Sequence, residues 1–172
     1  MKKSEGEALA LYFIKSAIDG QRLSRFDLGR ELYLGHKQRN RWTRKPESMT
    51  SYLKYISTLY PELSLRTYRR HYRVHEKLVV RSGISKFTLM DIDFTTLALA
   101  AEDQDLNPPA LRTIISKLHT MLKNGASQQD VRKQFKVYAE RNRANIPRLL
   151  ALIQEYDDQI VSYTPNKEEE HS

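Results

Sequence analysis

Residues 64–81 read S-L-R-T-Y-R-R-H-Y-R-V-H-E-K-L-V-V-R. Leu65, Tyr68, Tyr72 and Val79 recur at helical spacing and form an apolar stripe. Arg66, Arg70, Arg73 and Lys77 follow the same period about 100° away, and Arg69 widens the basic side. The spacing therefore predicts one helix with two chemically opposite faces. A helix of this kind can lie in the major groove of DNA with its first turn nearest the bases. It can equally be a core helix with a solvated basic face, and the surrounding sequence has to decide between the two.

The surroundings are basic. Residues 22–81 hold fifteen Lys or Arg and five Asp or Glu, a balance of +10 within a chain of net charge +8, so the remainder carries −2. An excess confined to the segment that also holds the bifacial helix points to a polyanionic partner rather than to solubility in general. Directly before the helix, Met49, Tyr52, Leu53, Ile56 and Leu59 fall on one face of another helix, and Pro61 stops it near Tyr60. Ser64 is a suitable N-cap for the basic helix. The segment thus reads helix, tight turn, helix, with the basic helix second.

Further towards the N-terminus, residues 7–18 (E-A-L-A-L-Y-F-I-K-S-A-I) are apolar on nearly every side and predict a helix packed between others, ended by Asp19-Gly20. Ser24-x-x-Asp27 has the form of a capping box, and Phe26, Leu28, Leu32 and Tyr33 give the next helix an inner side until Gly35 ends it. Residues 36–48 contain five cations between Lys37 and Lys45 and no apolar period, which predicts an exposed loop. Trp42, between Arg41 and Arg44, either stacks on a base or plugs this loop onto the core.

Towards the C-terminus, Thr88-x-x-Asp91 is expected to cap a helix reaching about Ala101. Asn107-Pro108-Pro109 starts another, with Leu111, Ile114, Ile115, Leu118, Met121 and Leu122 inward and Asn124-Gly125 as its stop. Ser127-x-x-Asp130 opens a helix with Val131, Phe135 and Tyr138 inward, and Pro147 marks the start of a last one. In that last helix Leu149, Ile153, Tyr156, Ile160 and Tyr163 alternate four and three apart, the spacing of a coiled-coil seam that serves either packing within the chain or self-association. Residues 165–172 read as a disordered acidic tail. The expectation is an all-α fold of about eight helices. It comprises a basic DNA-binding part over residues 1–82 and a near-neutral part over 83–164 for dimerisation or partner recruitment.

Capped helix, basic connection, Y-P-E-L-S turn and S-L-R-T-Y-R-R-H-Y-R-V-H-E-K-L together resemble helix-turn-helix regulators of phage and plasmid type, including the partition-protein family with its all-helical DNA-binding domain. The resemblance covers about residues 24–100, with Pro61-Glu62 where such turns often have glycine. It implies double-stranded DNA as partner, homodimers on palindromic or repeated sites, and a role in transcription, replication or partition. The helix-turn-helix reading itself places Ser64, Arg66, Thr67, Arg69 and Arg70 at base edges. Lys37, Arg39, Arg41, Arg44, Lys45, Arg73, Lys77 and Arg81 would meet phosphates. The alternative is a helical module of a nucleoprotein assembly that grips RNA or DNA backbone without reading sequence.

Other chemistry finds little footing. Without cysteine there is no disulfide framework and no thiolate metal site, which fits the cytosol, and the resemblance implies a bacterial, nucleoid-associated location. His71 and His75 have zinc-helix spacing, but no third ligand is suggested and cations surround them. Asp103-x-Asp105-x-Asn107 begins like a calcium loop, yet Pro108 and Ile114 occupy the positions that need glycine and a carboxylate. No nucleophile motif, phosphate-cradling loop or bilayer-length apolar run occurs, so neither an enzyme, a cofactor nor a membrane is expected.

Overall fold

A computed structural model describes residues 2–20 and 25–162, the side chains of 160–162 excepted. The described residues are all helical or connecting, with no strand among them. The helices are α1 (Lys3–Ile18), α2 (Asp27–Arg41), α3 (Met49–Leu59), α4 (Leu65–Arg73) continued by a π-helical segment (Val74–Arg81), α5 (Lys86–Met90), α6 (Phe94–Glu102), α7 (Pro108–Lys123) and α8 (Gln128–Ser162). The expectations placed on Ser24, Tyr163 and the tail, and on the side chain of Ile160, fall outside the described residues.

Two apolar cores organise these elements. In the first, Ile14 of α1, Leu28 and Leu32 of α2, Tyr52, Leu53 and Ile56 of α3, and Tyr68 and Tyr72 of α4 pack together, all nearly excluded from solvent. In the second, Val74 and Leu78 of the π-helical segment meet Ile84, Leu89 of α5, Leu97 of α6, Leu111, Ile115 and Leu118 of α7, and Val131 and Phe135 of α8. Complete burial of a side chain such as Leu53 or Leu78 contributes roughly 1.5–3 kcal/mol. The helix spanning 65–81 therefore enters both cores through its own length, its first half on one side and its second half on the other.

Local chemistry sets the helix ends. Ser48 Oγ accepts the N–H of Ser51 at 3.1 Å and starts α3, and Ser64 Oγ accepts that of Thr67 at 3.1 Å and starts α4. Asn107 caps α7 by accepting from Ala110 at 3.0 Å, and Ser127 opens α8 in the same way through Asp130 at 3.1 Å. The stop at the end of α7 is also where expected, with Asn124 as C-cap and Gly125 at φ +88°, a backbone angle that favours glycine.

Five expectations are corrected. Helix α1 is not packed between others: it lies on α2 with one side against the body, and Tyr12 is 63% exposed. Gly35 does not end α2. It is buried mid-helix, where a Cβ would overlap the Tyr52 hydroxyl, so glycine here answers a close packing contact, and the helix runs on to Arg41. In consequence Lys37, Arg39 and Arg41 belong to a helix, and the loop is reduced to residues 42–48. The helix expected from Thr88 to Ala101 is broken in two, because Arg25 donates to the carbonyls of Leu89 (2.8 Å), Met90 (2.9 Å) and Ile92 and ends α5; Ser85, not Thr88, caps α5. Finally, Pro147 starts no new helix but sits inside α8, which continues through it.

Candidate nucleic-acid interface

The short segment 42–48 folds back on α2 through a polar network rather than standing free. His36, buried on α2, has Nε2 2.8 Å from the Glu47 carbonyl, so Nε2 donates and Nδ1 accepts from the Tyr72 hydroxyl at 2.7 Å. Asn40 closes the other edge, its Oδ1 accepting the Glu47 N–H at 2.8 Å and its Nδ2 donating to the Glu47 carbonyl at 3.0 Å. Arg39 pairs with Glu47 at 3.0 Å and Glu7 at 3.4 Å and lies over the Tyr55 ring at 4.3 Å. These contacts fix the approach of α3 to α2, and through Tyr72 they tie the segment to α4.

Helix α4 is held on three sides, by α2, α3 and α6. At the crossing with α2, Gly29 lets the two backbones approach so closely that a Cβ would overlap the His71 carbonyl. The Tyr68 hydroxyl donates to the Tyr60 carbonyl at 2.6 Å, which locks the turn before α4. On the α6 side His71 stacks on Phe94 with ring centroids 4.3 Å apart, and His75 sits 5.5 Å from the Tyr33 ring of α2. Burial pushes both imidazoles down to about 4; Lys86 and Arg30 act in the same direction on His75, whereas a backbone contact with Arg25 opposes it on His71. Both are therefore neutral packing groups near pH 7. Among the described residues no group of three or more His, Cys, Asp or Glu side chains is placed to hold a metal ion.

What remains of α4 is a narrow basic strip. Arg66, Arg69 and Arg73 lie at i, i+3 and i+7, and among the described residues no acid pairs with any of the three. Arg66 is exposed; Arg69 and Arg73 are half-buried, and Arg69 Nε is buried with no partner among the described residues. Ser64 caps the helix at the head of this strip, and Thr67, bonded to Ser64 Oγ at 2.9 Å, lies about 100° or more round the helix from each of the three arginines.

The other predicted cations are engaged or lie off this strip. Arg70 pairs with Glu102 at the end of α6 at 3.3 Å, and the Lys77 ammonium donates to the Asp103 carbonyl in a setting whose burial holds its pKa below the ordinary lysine value. Arg81 pairs with Glu76 at 2.9 Å, five residues earlier, a separation that the wider π-helical turn brings together. Lys37 lies over the Tyr33 ring at 5.3 Å. Arg41, Arg44 and Lys45 are exposed near Trp42, which is itself 52% exposed while lining a small cleft with Lys3 and Gly6 of α1 and Tyr55 of α3.

Two features escaped the sequence reading. One is Glu102, an acid at the end of α6, which no local pattern connects to Arg70 because 32 residues separate them. The other is the internal use of arginine: Arg25 on the α5 carbonyls, Arg132 on Asp93, and Arg143 on Asp103 (2.6 Å) and Asp105 (3.1 Å). Among the described residues no helix is long and apolar enough to cross a membrane. No protein-family model, curated protein or solved structure matches the chain.

Proposed function

We propose that this chain binds double-stranded DNA in a sequence-dependent manner, as a homodimer that regulates transcription, replication or partition. In this reading α3 and α4 act as a helix-turn-helix pair, Arg66 and Arg69 reach base edges from the first turns of α4, and Arg73 together with Arg41, Arg44 and Lys45 meets phosphates. The observation that carries it is the row Arg66, Arg69, Arg73: three guanidinium groups without acidic partners among the described residues, on the outer side of a helix whose other sides are clamped by α2, α3 and α6. A rigid, preformed strip of this kind suits groove recognition, since little ordering remains to be done on binding. Arg70 joins the base-reading set only by leaving Glu102, and Lys77 joins the phosphate set only by leaving Asp103.

The exposed trio Arg41, Arg44 and Lys45 favours a second reading, in which the protein grips RNA or DNA backbone without reading bases. Fluorescence anisotropy of labelled DNA and RNA, random and genome-selected, titrated against salt, separates the two. With about six phosphates contacted, log K falls against log salt with a slope near −5, about 0.9 per contact. Arg66→Ala is expected to relax base preference by about 1–3 kcal/mol at one position, while Arg41→Ala weakens all sequences alike. Sequence-blind losses from both variants favour the backbone-only reading, and a slope near zero removes both.

A further inference from the structure

Beyond Arg143 the helix α8 leaves the body. Its last anchor is the pair of contacts from Arg143 to Asp103 and Asp105, and from Ala144 to Gln159 every residue is exposed. Gln154 donates to Asp158 at 3.0 Å within the stretch, an exposed i, i+4 pair that offsets little of its cost. Pro147 removes the N–H that would bond to the Arg143 carbonyl, and an isolated helix of this length is marginal in water even without a proline. Yet the stretch carries an ordered apolar stripe. Ile146, Leu149, Ile153 and Tyr156 follow three, four and three apart, and the last three are 57%, 57% and 65% exposed. The spacing is that of a two-helix seam.

Its charges say what covers the stripe. Residues 141–148 hold three arginines and no acid, residues 149–154 are uncharged, and residues 155–158 hold Glu155, Asp157 and Asp158 with no base. Such a helix is complementary to itself reversed. The geometry points to a second copy of this chain as the occupant, its α8 packed antiparallel on the first about a two-fold axis near Ala151. Leu149 of each copy then meets Ile153 of the other, Ile146 meets Tyr156, and the arginine-bearing half of each helix lies alongside the acidic half of its partner, with Arg148 level with Glu155 and Arg141 within a turn of Asp158 along the axis. A parallel pair would instead set arginine against arginine and the three acids against three acids, which is unfavourable. The arrangement is isologous and closed, so it ends at a dimer. It gives a surface to the homodimer of the proposed function and rests on that proposal only for the oligomeric state.

Sedimentation equilibrium of the full chain without DNA is expected to give twice the chain mass, and Leu149→Asp with Ile153→Asp to give a monomer. Both side chains are exposed on the stretch that has left the body, so the thermal unfolding of the remaining helices serves as the folding control. The chain has no cysteine, so Leu152→Cys, beside the stripe, and Glu140→Cys accept one spin label each. Electron-electron distance measurement is expected to find the labels at residue 152 close together. Those at residue 140 are expected to lie about 30 Å or more apart, from the ~1.5 Å rise over the roughly 22 residues between positions 140 and 162, which the antiparallel pairing brings level. A monomeric wild-type chain, equal distances at the two positions, or a double-aspartate variant that still dimerises overturns the proposal. None of these outcomes bears on whether the protein binds DNA.

Discussion

Acid should unfold this protein through the two histidines behind its basic strip. His71 and His75 are held neutral by burial, with pKa values of about 4 against an ordinary 6.5. The unfolded chain takes up a proton on each as pH falls through 6.5, whereas the folded chain resists until about pH 4. Between those limits the unfolded state binds more protons, so stability falls as pH falls, and the loss levels off below pH 4. From pH 7 to pH 5 each histidine costs about 2 kcal/mol, and the pair about 4 kcal/mol. With a urea slope of about 2 kcal/mol/M for a domain of this size, the unfolding midpoint drops by ~2 M. Urea titrations followed by circular dichroism at the two pH values measure this directly. His71→Gln with His75→Gln serves as the reference, since subtraction removes what carboxylates and the remaining histidines contribute. The reasoning is refuted if both proteins lose the same stability between pH 7 and pH 5, or if the imidazole C2 protons of the two residues titrate near 6.5 by NMR.

Two further outcomes test the packing and charge of α4. Gly29→Ala should destabilise the fold by about 1–3 kcal/mol in thermal unfolding, because the added methyl meets the His71 carbonyl; the stabilisation that Gly→Ala usually brings in an open helix would contradict the close crossing of α2 and α4. Glu102→Gln releases Arg70 without changing side-chain shape, so Arg70 joins the base-reading set and affinity for the preferred sequence should rise several-fold over that for random DNA. An unchanged ratio of specific to random affinity would show that Arg70 reads no base.

The local devices were legible because each is complete within a few residues of sequence. Ser64 before a basic amphipathic run, Asn107 before two prolines, Asn124-Gly125 after an apolar period and Ser127 three residues before Asp130 all act through the nearest backbone groups, and each sits where expected. Helical periodicity likewise announced the all-α class and the boundaries of α3. The departures arose where a distant residue overruled a local signal. Gly35 looked like a helix stop but serves the approach of Tyr52 across the first core; the run from Thr88 to Ala101 is cut by Arg25, more than 60 residues away. The candidate interface divides in the same way. That residues 64–81 form a helix with a basic side follows from period alone, since the period belongs to one element. Which cations remain available depends on acids brought in from elsewhere: Glu102 engages Arg70, Glu7 and Glu47 engage Arg39, the Asp103 carbonyl takes Lys77, and Arg66, Arg69 and Arg73 are left without acidic partners among the described residues. Charge is a property of the residue, but its availability to a partner is a property of what the chain packs beside it.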